Sequence, residues 1–407
     1  MPEQIIKPEL LAPAGNFEKL KTAIHFGADA VYLAGKEFSL RNFSGNFSEQ
    51  ELFDAVKYAH GKKKKVYLAL NIYSRNDEQK RLESFLNKIK EIKPDAVIIS
   101  DPGIILTAKQ IIPEIDIHLS TQSNTTNLNT VQFWKNTGIK RVNLARELSL
   151  EEIKEISLKS ILETEIFIHG AMCISYSGRC LLSSFYTLRD SNRGLCSHPC
   201  RWRYSIVEEM RPNEYYPIAE DKQGTYIFNS KDLCLLHHIP EIIDSRVTSL
   251  KIEGRMKGIN YLASVTRTYR RAIDSYCRDP EKYNVKPEWV QELDNVYHRE
   301  YCTGFFLNSP DQIIPNYVNK HAGRIHSFIG RISKKHQDNE YVLDIRNSLM
   351  KNDHIEVLSP RNELIPFQIS EMFDLDHNPI SHAKPNTRAI LKIETNADRM
   401  DIIRKIN

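Results

Sequence analysis

The sequence has few cysteines and no long apolar run. Seven cysteines in 407 residues are an odd number and too few for a disulfide framework, which argues against a disulfide-rich secreted protein. No apolar run approaches the ~20 residues that a membrane-spanning helix needs. The N-terminal stretch MPEQIIKPELLAPAG lacks the charged and then apolar pattern of a secretory leader. These absences predict a cytoplasmic protein whose reduced thiols are available to a metal.

Two motifs of hydrolytic enzymes are also lacking, and so is a strong excess of charge. Neither H-E-x-x-H, which would bind a catalytic zinc ion, nor the nucleophile motif G-x-S-x-G occurs. The formal net charge of +4 argues against a chain that coats nucleic acid over its whole surface. Any contact with nucleic acid must therefore come from a local patch.

What the chain does have is a cluster of cysteines directly after an apolar run that ends near His169. Cys173, Cys180, Cys196 and Cys200 follow the spacing C-x6-C-x15-C-x3-C. Four thiolates suit zinc, copper(I) or an iron–sulfur cluster, although this spacing matches neither a zinc ribbon nor a ferredoxin. Buried free thiols are the alternative. The segment is rich in Ser, Arg, Asn and Gly, so we expect a metal centre instead.

Short apolar runs alternate with amphipathic stretches over residues 9–275. In the stretch SEQELFDAVKYAHG, apolar residues recur at helical spacing, Ser48 is the expected cap and Gly61 the expected end. Strand–helix alternation requires a parallel sheet, and eight repeats predict a closed, TIM-like (β/α)8 barrel of ~250 residues. A doubly wound open sheet is the alternative. The predicted strands are residues 9–13, 30–35, 65–71, 96–101, 116–122, 141–145, 163–170 and 247–255.

Polar residues at the carboxyl ends of these strands mark the expected active-site face of the barrel. Arg146 and Arg255 favour a ligand with carboxylates or phosphates, because guanidinium groups bind such groups with two parallel hydrogen bonds. His169 is either an acid–base group of the pocket or a core imidazole. Each of these side chains could equally mark a strand that enters solvent. The full set is Asn71, Asp101, Gln122, Arg146, His169, Glu253 and Arg255.

The patterns divide the chain into three segments. Residues 1–280 are predicted to form the barrel, with a cysteine-bearing excursion at 170–246 after the seventh strand. An excursion of this length is improbable unless it is functional or cross-linked, and a metal cluster would cross-link it. Residues 281–319 are predicted as a helical spacer. Residues 320–407 contain short strands and turns, which predict a small β-barrel-like domain.

Several blocks of sequence resemble peptidase family U32, the collagenase-like peptidases. They are ELLAPAGNFEKLKTAIHFGADAVYLAG, HGAMCISYSGRCLLSSF, RGLCSHPCRWRY, NSKDL and SLKIEGRMK, and they lie within residues 9–320. The resemblance implies an iron–sulfur protein that inserts oxygen. Members of the family include prephenate-dependent tRNA uridine 5-hydroxylases, a ribosomal RNA cytidine hydroxylase and ubiquinone-ring hydroxylases. The β-rich tail resembles the C-terminal module of the tRNA-hydroxylase type.

The resemblance also implies a ligand set for the metal centre. It implies a [4Fe-4S] cluster on Cys173, Cys180, Cys196 and Cys200, with Cys234 as an alternative to the last of these. Cys277 and Cys302 match no motif and are interpreted as ordinary thiols.

A hydroxylase that uses prephenate on C5 of a wobble uridine in tRNA is the leading interpretation. Prephenate carries two carboxylates, which would suit Arg146 and Arg255, with Gln122 and Asn71 as further substrate contacts. The tRNA could contact arginines and aromatic residues of the cysteine segment, which can bind phosphates and stack on unpaired bases. Those arginines could instead offset the negative charge of the cluster. They are Arg179, Arg189, Arg193, Arg201 and Arg203, beside Phe185, Trp202 and Tyr204.

Other functions remain open at this point. The family also allows hydroxylation of ribosomal RNA or of a quinone ring, and its name implies a protease. Proteolysis needs a nucleophile with a base. Ser177 has no identifiable base, and a dyad of Cys173 and His169 would leave three cysteines idle. A metal-stabilised binding scaffold without chemistry is the last alternative. The sequence assigns no catalytic base and no oligomeric state.

Overall fold

The structure is a computed structural model. It describes residues 5–39, 46–172, 175, 178–193, 195–201, 219–221, 224–226, 231–307, 326–337, 339–394 and 396–406. Within these ranges, no helix is long and apolar enough to cross a membrane.

The strands are numbered in chain order. They are β1 (Glu9–Pro13), β2 (Ala30–Leu33), β3 (Lys65–Leu70), β4 (Ala96–Ile99), β5 (Asp116–Leu119), β6 (Arg141–Asn143), β7 (Glu163–Ala171), β8 (Ala219–Asp221), β9 (Gly224–Tyr226), β10 (Asp232–Cys234), β11 (Ser249–Ile252), β12 (Tyr301–Cys302), β13 (His326–Gln337), β14 (Glu340–Ile345), β15 (Leu349–Met350), β16 (His354–Leu358), β17 (Pro366–Gln368), β18 (Met372–Phe373), β19 (His382–Ala383), β20 (Arg388–Lys392) and β21 (Ile402–Ile406). The α-helices are α1 (Phe17–His25), α2 (Glu49–Gly61), α3 (Gln79–Ile92), α4 (Pro102–Ile111), α5 (Leu128–Asn136), α6 (Leu150–Lys159), α7 (Leu182–Thr187), α8 (Ile239–Asp244), α9 (Ile259–Arg278) and α10 (Pro287–Asp294).

Eight parallel strands form a closed barrel, which confirms the fold predicted from the alternating pattern. Strands β1 to β7 pair in sequence order, and β11 pairs with both β7 and β1 to close the ring. The strands are short and almost wholly buried, as expected for strands covered on both faces. All eight lie within or overlap the predicted apolar runs.

The surrounding helices begin at the capping residues that the sequence provides. The Ser48 hydroxyl accepts a hydrogen bond from the backbone N–H of Glu51, and the Glu51 carboxylate accepts one from the backbone N–H of Ser48. This capping box starts α2, and the helix ends at Gly61 as predicted. Ser149 and Glu152 form the same arrangement at α6. The local sequence thus determines where α2 and α6 begin. The loops that lead from the strands to the helices contain the candidate site residues.

Two further strands extend the barrel sheet beyond β7. Strand β10 runs antiparallel to the end of β7, with Cys234 opposite His169, and β12 pairs in parallel with β10. In its described part, the segment predicted as a helical spacer contains the single helix α10 and also β12. The segment therefore joins the barrel sheet, because the edge of β10 leaves backbone groups that β12 can pair with.

The tail forms a separate antiparallel sheet with its own core. Its seven strands lie in the order β17-β16-β21-β13-β14-β20-β18. Apolar residues of neighbouring strands, such as Ile332, Leu343 and Leu391, are completely buried in this core. The change from long helices to short strands after residue 320 correctly indicates this domain.

The tail sheet is anchored to the barrel by a buried arginine. Arg404 of β21 is 0% exposed. It donates to both carboxylate oxygens of Glu292 in α10, at 2.6 and 2.9 Å, and also pairs with Glu356 of β16. Burial alone would lower the pKa of Arg404, but the two glutamates outweigh burial and raise it. The C-terminal domain therefore rests on the outer helices of the barrel.

Candidate active site

A cavity of about 210 Å³ lies at the carboxyl ends of the barrel strands. It is smaller than the ~300–1,000 Å³ typical of pockets for drug-sized ligands. Five of the candidate polar residues line it, from the loops after four strands: Asn71 after β3, Gln122 after β5, Arg146 after β6, and Glu253 and Arg255 after β11. The structure thus brings together the side chains that were predicted from strand ends alone.

Gln122 holds one side of the cavity through its side-chain oxygen. That oxygen accepts hydrogen bonds from Asn71 Nδ2 at 3.0 Å, Ser100 Oγ at 3.1 Å and Ser120 Oγ at 2.9 Å. The Tyr73 hydroxyl also donates to the backbone oxygen of Gln122, at 3.1 Å. Gln122 is buried, so these bonds fix its orientation toward the cavity.

Arg146 is oriented by a backbone group and by an aromatic ring. Its Nη1 atom donates to the carbonyl oxygen of Ala171 at 2.9 Å. Its guanidinium carbon lies 3.8 Å from the centre of the Phe167 ring, in stacking contact. A planar guanidinium suits such stacking. The contacts place a cation on the cavity wall and hold it in one orientation.

Arg255 is a second cation of the cavity lining, and it is buried. It donates to Ser39 Oγ at 3.1 Å and to Asn46 Oδ1 at 2.5 Å. These partners stand more than 200 residues earlier in the chain, on the loop that follows β2. Glu253 instead accepts a hydrogen bond from the Tyr32 hydroxyl at 3.0 Å. The structure therefore records separate partners for Arg255 and Glu253, although both line the cavity.

The floor of the cavity is a network of buried charges inside the barrel. Lys251 of β11 lines the cavity and donates to Glu165 Oε1 at 2.7 Å. Arg141 lies 3.4 Å from the other oxygen of Glu165 and donates to Glu9 at 2.6 Å. Burial alone would raise the pKa of Glu165, but Lys251 and Arg141 outweigh it and lower the pKa. Glu165 therefore offsets the charge of Lys251. Glu253 is the carboxylate residue among the described residues that line the cavity.

Three of the four clustered cysteines line this same cavity. Cys180, Cys196 and Cys200 contribute to its wall, and Cys173 lies outside the described residues. The Cys196 sulfur accepts a hydrogen bond from the backbone N–H of His198 at 3.4 Å. Two side chains on the next turn, Ser191 and Asn192, donate to the backbone oxygen of Cys180. The cysteine segment thus folds over the barrel mouth.

The donor set fits a thiolate-ligated metal centre. Thiolates are soft ligands, and three described cysteines share one cavity wall. Four thiolates can complete either a zinc tetrahedron or a cubane iron–sulfur cluster, and the shared cavity wall is compatible with both.

The structure does not bring Cys234 to the other three cysteines. Cys234 lies on β10 and lines a second cavity of about 260 Å³, together with Cys302 and Tyr301. Burial raises the pKa of its thiol. The reason for the separation is topological: β10 runs beside β7 and not over the barrel mouth.

His169 is also kept away from the cavity at the barrel mouth. A register shift between β7 and β11 pairs Lys251 with Phe167 but Ile252 with His169, so one extra residue enters β7. Such a bulge changes which face the following side chain points to. His169 consequently packs among Tyr261, Tyr269 and Tyr301. Burial lowers its pKa to about 3. His169 is therefore the neutral core imidazole that the sequence left as one of two possibilities.

Asp101 also has a structural position. Its carboxylate accepts hydrogen bonds from the backbone N–H groups of Gly103 and Ile104, at 2.7 and 3.4 Å, and caps α4. It does not line the cavity. A strand-end aspartate followed by proline is a common helix start, and here that role accounts for the residue.

Several cavity residues were not among the sequence candidates, and they include Lys251 and His198. The eighth predicted strand has Lys251, Glu253 and Arg255 at every second position, which places them on one face. This period of two could have predicted that Lys251 faces the cavity. His198 lines the cavity from within the segment CSHPC, and its position between two cysteines was the available signal. Its φ of +57° lies in the left-handed region, so the backbone is turned sharply at this point.

The arginines proposed for RNA contact are only partly described. Arg179 is exposed, whereas Arg189 is half-buried and donates to the backbone oxygen of Leu195 at 3.0 Å. The side chains of Phe185, Arg193 and Arg201 and residues 202–204 lie outside the described part of the chain.

The fold and the site define a class: a parallel (β/α)8 barrel with a cysteine-lined cavity at its carboxyl-terminal mouth and an antiparallel C-terminal domain. The sequence pattern of peptidase family U32 matches residues 15–315, and that of the peptidase family U32 C-terminal domain matches residues 324–404. The chain belongs to peptidase family U32, as its sequence blocks predicted.

Three relatives with assigned names align along most of this chain. The tRNA hydroxylation protein P1 of Bacillus subtilis (strain 168) is 41% identical over 382 residues, which are 93% of this chain and 90% of the relative. The tRNA hydroxylation protein P of Escherichia coli (strain K12) is 35% identical over 401 residues, 88% of each chain. The 23S rRNA 5-hydroxycytidine C2501 synthase of the same strain is 29% identical over 371 residues, 88% of this chain and 54% of that one.

Proposed function

We propose that this protein is an RNA-modifying hydroxylase that acts on tRNA, at C5 of a wobble uridine, with an iron–sulfur cluster and with prephenate as cosubstrate. The observation that carries the proposal is the shared cavity. Thiols of Cys180, Cys196 and Cys200 and the cations of Arg146 and Arg255 face the same small space at the barrel mouth. Such a site can hold a metal centre beside a small anionic ligand.

A [4Fe-4S] cluster would be held by Cys173, Cys180, Cys196 and Cys200. When bound, such a cluster supplies redox chemistry whose potential depends on hydrogen bonds to its sulfurs and on exposure to solvent. The backbone N–H of His198 already points at the Cys196 sulfur. That hydrogen bond would stabilise a thiolate, and the surrounding protein walls would limit access of water to the centre.

The small anionic ligand would bind beside the two arginines of the cavity lining. Arg146 and Arg255 supply the guanidinium groups among the described lining residues, and a guanidinium can bind a carboxylate through two parallel hydrogen bonds. Asn71 and Gln122 lie on the same rim and supply amide groups for hydrogen bonds to a hydroxyl or carboxylate. Prephenate, with two carboxylates and one hydroxyl on a small ring, has this chemistry.

The choice of tRNA rests on the relatives. The two that are named tRNA hydroxylation proteins align along 93% and 88% of this chain, so the likeness extends from the barrel into the tail domain. A nucleotide must be unstacked to reach a cavity at the bottom of a mouth, and loop nucleotides of RNA are the most easily unstacked. Arg179 is exposed on the cysteine segment and can contact phosphate. We also propose that the tail domain contributes to RNA binding and not to chemistry.

Hydroxylation of cytidine in ribosomal RNA is the second candidate, because one relative is named a 23S rRNA 5-hydroxycytidine synthase. This chain matches only 54% of that relative, so the larger protein has regions with no counterpart here. Proteolysis is less favoured, since three thiols share one cavity whereas a cysteine protease uses a single thiol with a base.

Nucleoside mass spectrometry of a deletion strain tests the proposal and separates the two candidates. Total tRNA and ribosomal RNA would be digested separately from cells with and without the gene. Loss of 5-hydroxyuridine-derived nucleosides from tRNA alone supports the proposal. Loss of 5-hydroxycytidine from ribosomal RNA alone would replace it with the second candidate.

A further inference from the structure

Three side chains with metal-binding chemistry meet on the surface of the C-terminal domain. His336 and Glu340 lie on either side of the β13–β14 hairpin turn, and His377 lies in the turn after β18. One nitrogen of each imidazole and one oxygen of the carboxylate lie within 4.8 Å of one another. None of the three lines the cavity at the barrel mouth. The cluster is therefore a separate feature of the molecule.

The backbone on the hairpin side holds two of these side chains in place. Gln337 pairs with Glu340 across the antiparallel ladder, and Lys335 pairs with Tyr341. The Gln337 side-chain amide donates to Glu340 Oε2 at 3.0 Å, which orients the carboxylate. His336 is the extra residue of a β-bulge between these two ladder pairs, so the hairpin places it next to the oriented carboxylate.

The third side chain is held by a tight turn. The Asp374 carboxylate accepts hydrogen bonds from the backbone N–H groups of Asp376 and Asn378, at 2.9 and 2.8 Å, and from the side-chain amide of Asn378 at 3.1 Å. His377 adopts a φ of +65° within this turn. Its ring lies 5.1 Å from the ring of Phe373 and 5.4 Å from that of His336, between centres. The turn therefore directs the imidazole toward the hairpin.

We infer that His336, Glu340 and His377 form a binding site for a divalent transition-metal ion, with zinc as the reference ion. Imidazole nitrogens suit zinc, copper and nickel, whereas magnesium and calcium require oxygen ligands. Zinc bonds to nitrogen and oxygen are about 2.0–2.2 Å long, so ligand atoms around a tetrahedral ion are roughly 3.3–3.6 Å apart. His377 Nε2 and Glu340 Oε2 are already 3.2 Å apart. The ligand nitrogen of His336 lies within 4.8 Å of both atoms.

The site provides three protein ligands, which leaves a fourth position for water or an external ligand. Two of the three side chains are exposed and Glu340 is half-buried, so solvent can reach that position. A bound ion would link the β13–β14 hairpin to the turn after β18, two parts of the domain that are distant in sequence. Binding to the folded state alone raises the stability of the domain by mass action.

The test is a zinc titration of the full chain by calorimetry and by thermal unfolding, after treatment with a chelator and anaerobic reconstitution with iron. The wild type is compared with His336→Gln/His377→Gln and, separately, with Glu340→Gln. His354→Gln is the matched control, because His354 is an exposed histidine of the same sheet outside the cluster. Magnesium replaces zinc as a second control.

We expect the wild type and His354→Gln to bind one more equivalent of zinc than the double variant, and to gain thermal stability with zinc but not with magnesium. Glu340→Gln should bind zinc at least about tenfold more weakly than the wild type. Loss of a residue that only supports a metal ligand already costs about tenfold in affinity, and Glu340 is itself a ligand. Cobalt(II) should give visible d–d bands without intense sulfur charge transfer. Equal zinc stoichiometry and affinity in the wild type and the double variant would overturn the inference, as would a cobalt spectrum dominated by thiolate.

Discussion

Gly178 lies so close to Gln122 that a Cβ atom at position 178 would be 2.9 Å from the backbone oxygen of Gln122. The φ of Gly178 is +73°, in the region that only glycine adopts readily. Gln122 belongs to the barrel, whereas Gly178 stands two residues before Cys180 in the cysteine segment. This contact is the point at which the segment is seated on the barrel mouth.

Gly178→Ala should therefore displace the cysteine segment while the barrel remains folded. The left-handed conformation alone costs a non-glycine residue about 1–2 kcal/mol, and the contact with Gln122 adds to that cost. We expect the variant to retain less iron after anaerobic reconstitution, measured per mole of protein, with little change in the melting temperature. Gly61→Ala is the control, because a Cβ there meets nothing within 4 Å. Full iron content in Gly178→Ala would show that the contact does not position the cysteines.

The ligand assignment predicts different outcomes for cysteines in the two cavities. Cys180→Ala should lose iron, as should alanine at positions 173, 196 and 200. Cys234→Ala should keep it, because Cys234 lines the second cavity beside Cys302. Cys277→Ala is the control for the loss of an unrelated thiol. Iron analysis and the visible absorbance of anaerobically purified protein are the measurements. If Cys234→Ala lost iron and Cys200→Ala kept it, Cys234 would replace Cys200 as the assigned fourth ligand.

The charge network under the cavity should matter for stability. Lys251→Met leaves Glu165 buried with one cation fewer, and removal of one member of a buried ion pair commonly costs about 3–5 kcal/mol. Glu165 keeps Arg141 and Asn143, so we expect a loss of about 3 kcal/mol. Lys159→Met removes an exposed pair with Glu155, which solvent screens, and should leave stability almost unchanged. Urea unfolding curves compare the two. Equal effects would mean that the network does not support the cavity floor.

His169 should make the protein less stable at acid pH. Burial lowers the pKa of His169 to about 3 in the folded protein, against an ordinary value of 6.5. Below pH 6.5 the unfolded chain therefore binds a proton that the folded protein does not. Stability should fall by up to about 1.4 kcal/mol per pH unit as the pH drops from 6.5 toward 3.

Replacing His169 removes this contribution. Between pH 7 and pH 5, the stability lost by His169→Asn should be smaller than that lost by the wild type by about 2 kcal/mol. The comparison uses the change with pH within each protein, so a general destabilisation by the substitution does not matter. If the stability of His169→Asn changed with pH as steeply as that of the wild type, His169 would have to ionise within the folded protein.

Much of the fold and part of the site follow from local sequence. Apolar runs and capping residues such as Ser48 act over a few positions, so they predict strands and helix starts directly. The closed barrel then places strand ends together, which is why Asn71 and Gln122, 51 positions apart in the chain, could be expected to meet. The grouping of cysteines within one segment likewise predicted that they would face a common site.

The rest depends on contacts that no local pattern encodes. Nothing near Arg255 indicates that its partners are Ser39 and Asn46, because that pairing requires the barrel to be closed. The bulge that turns His169 outward depends on the register between β7 and β11. The segment IIRKIN gives no sign that Arg404 is completely buried, since its partners Glu292 and Glu356 belong to other elements.

The central claim is that the cysteine-lined cavity supports hydroxylation of tRNA, and complementation of a deletion strain tests it most directly. Cells that lack the gene, and have no redundant pathway, would receive wild-type protein, Cys180→Ala or Cys277→Ala at matched expression. Nucleosides from total tRNA would then be quantified by mass spectrometry. The wild type and Cys277→Ala should restore 5-hydroxyuridine-derived nucleosides, and Cys180→Ala should not. Restoration by Cys180→Ala, or unchanged levels of these nucleosides in the deletion strain itself, would contradict the account.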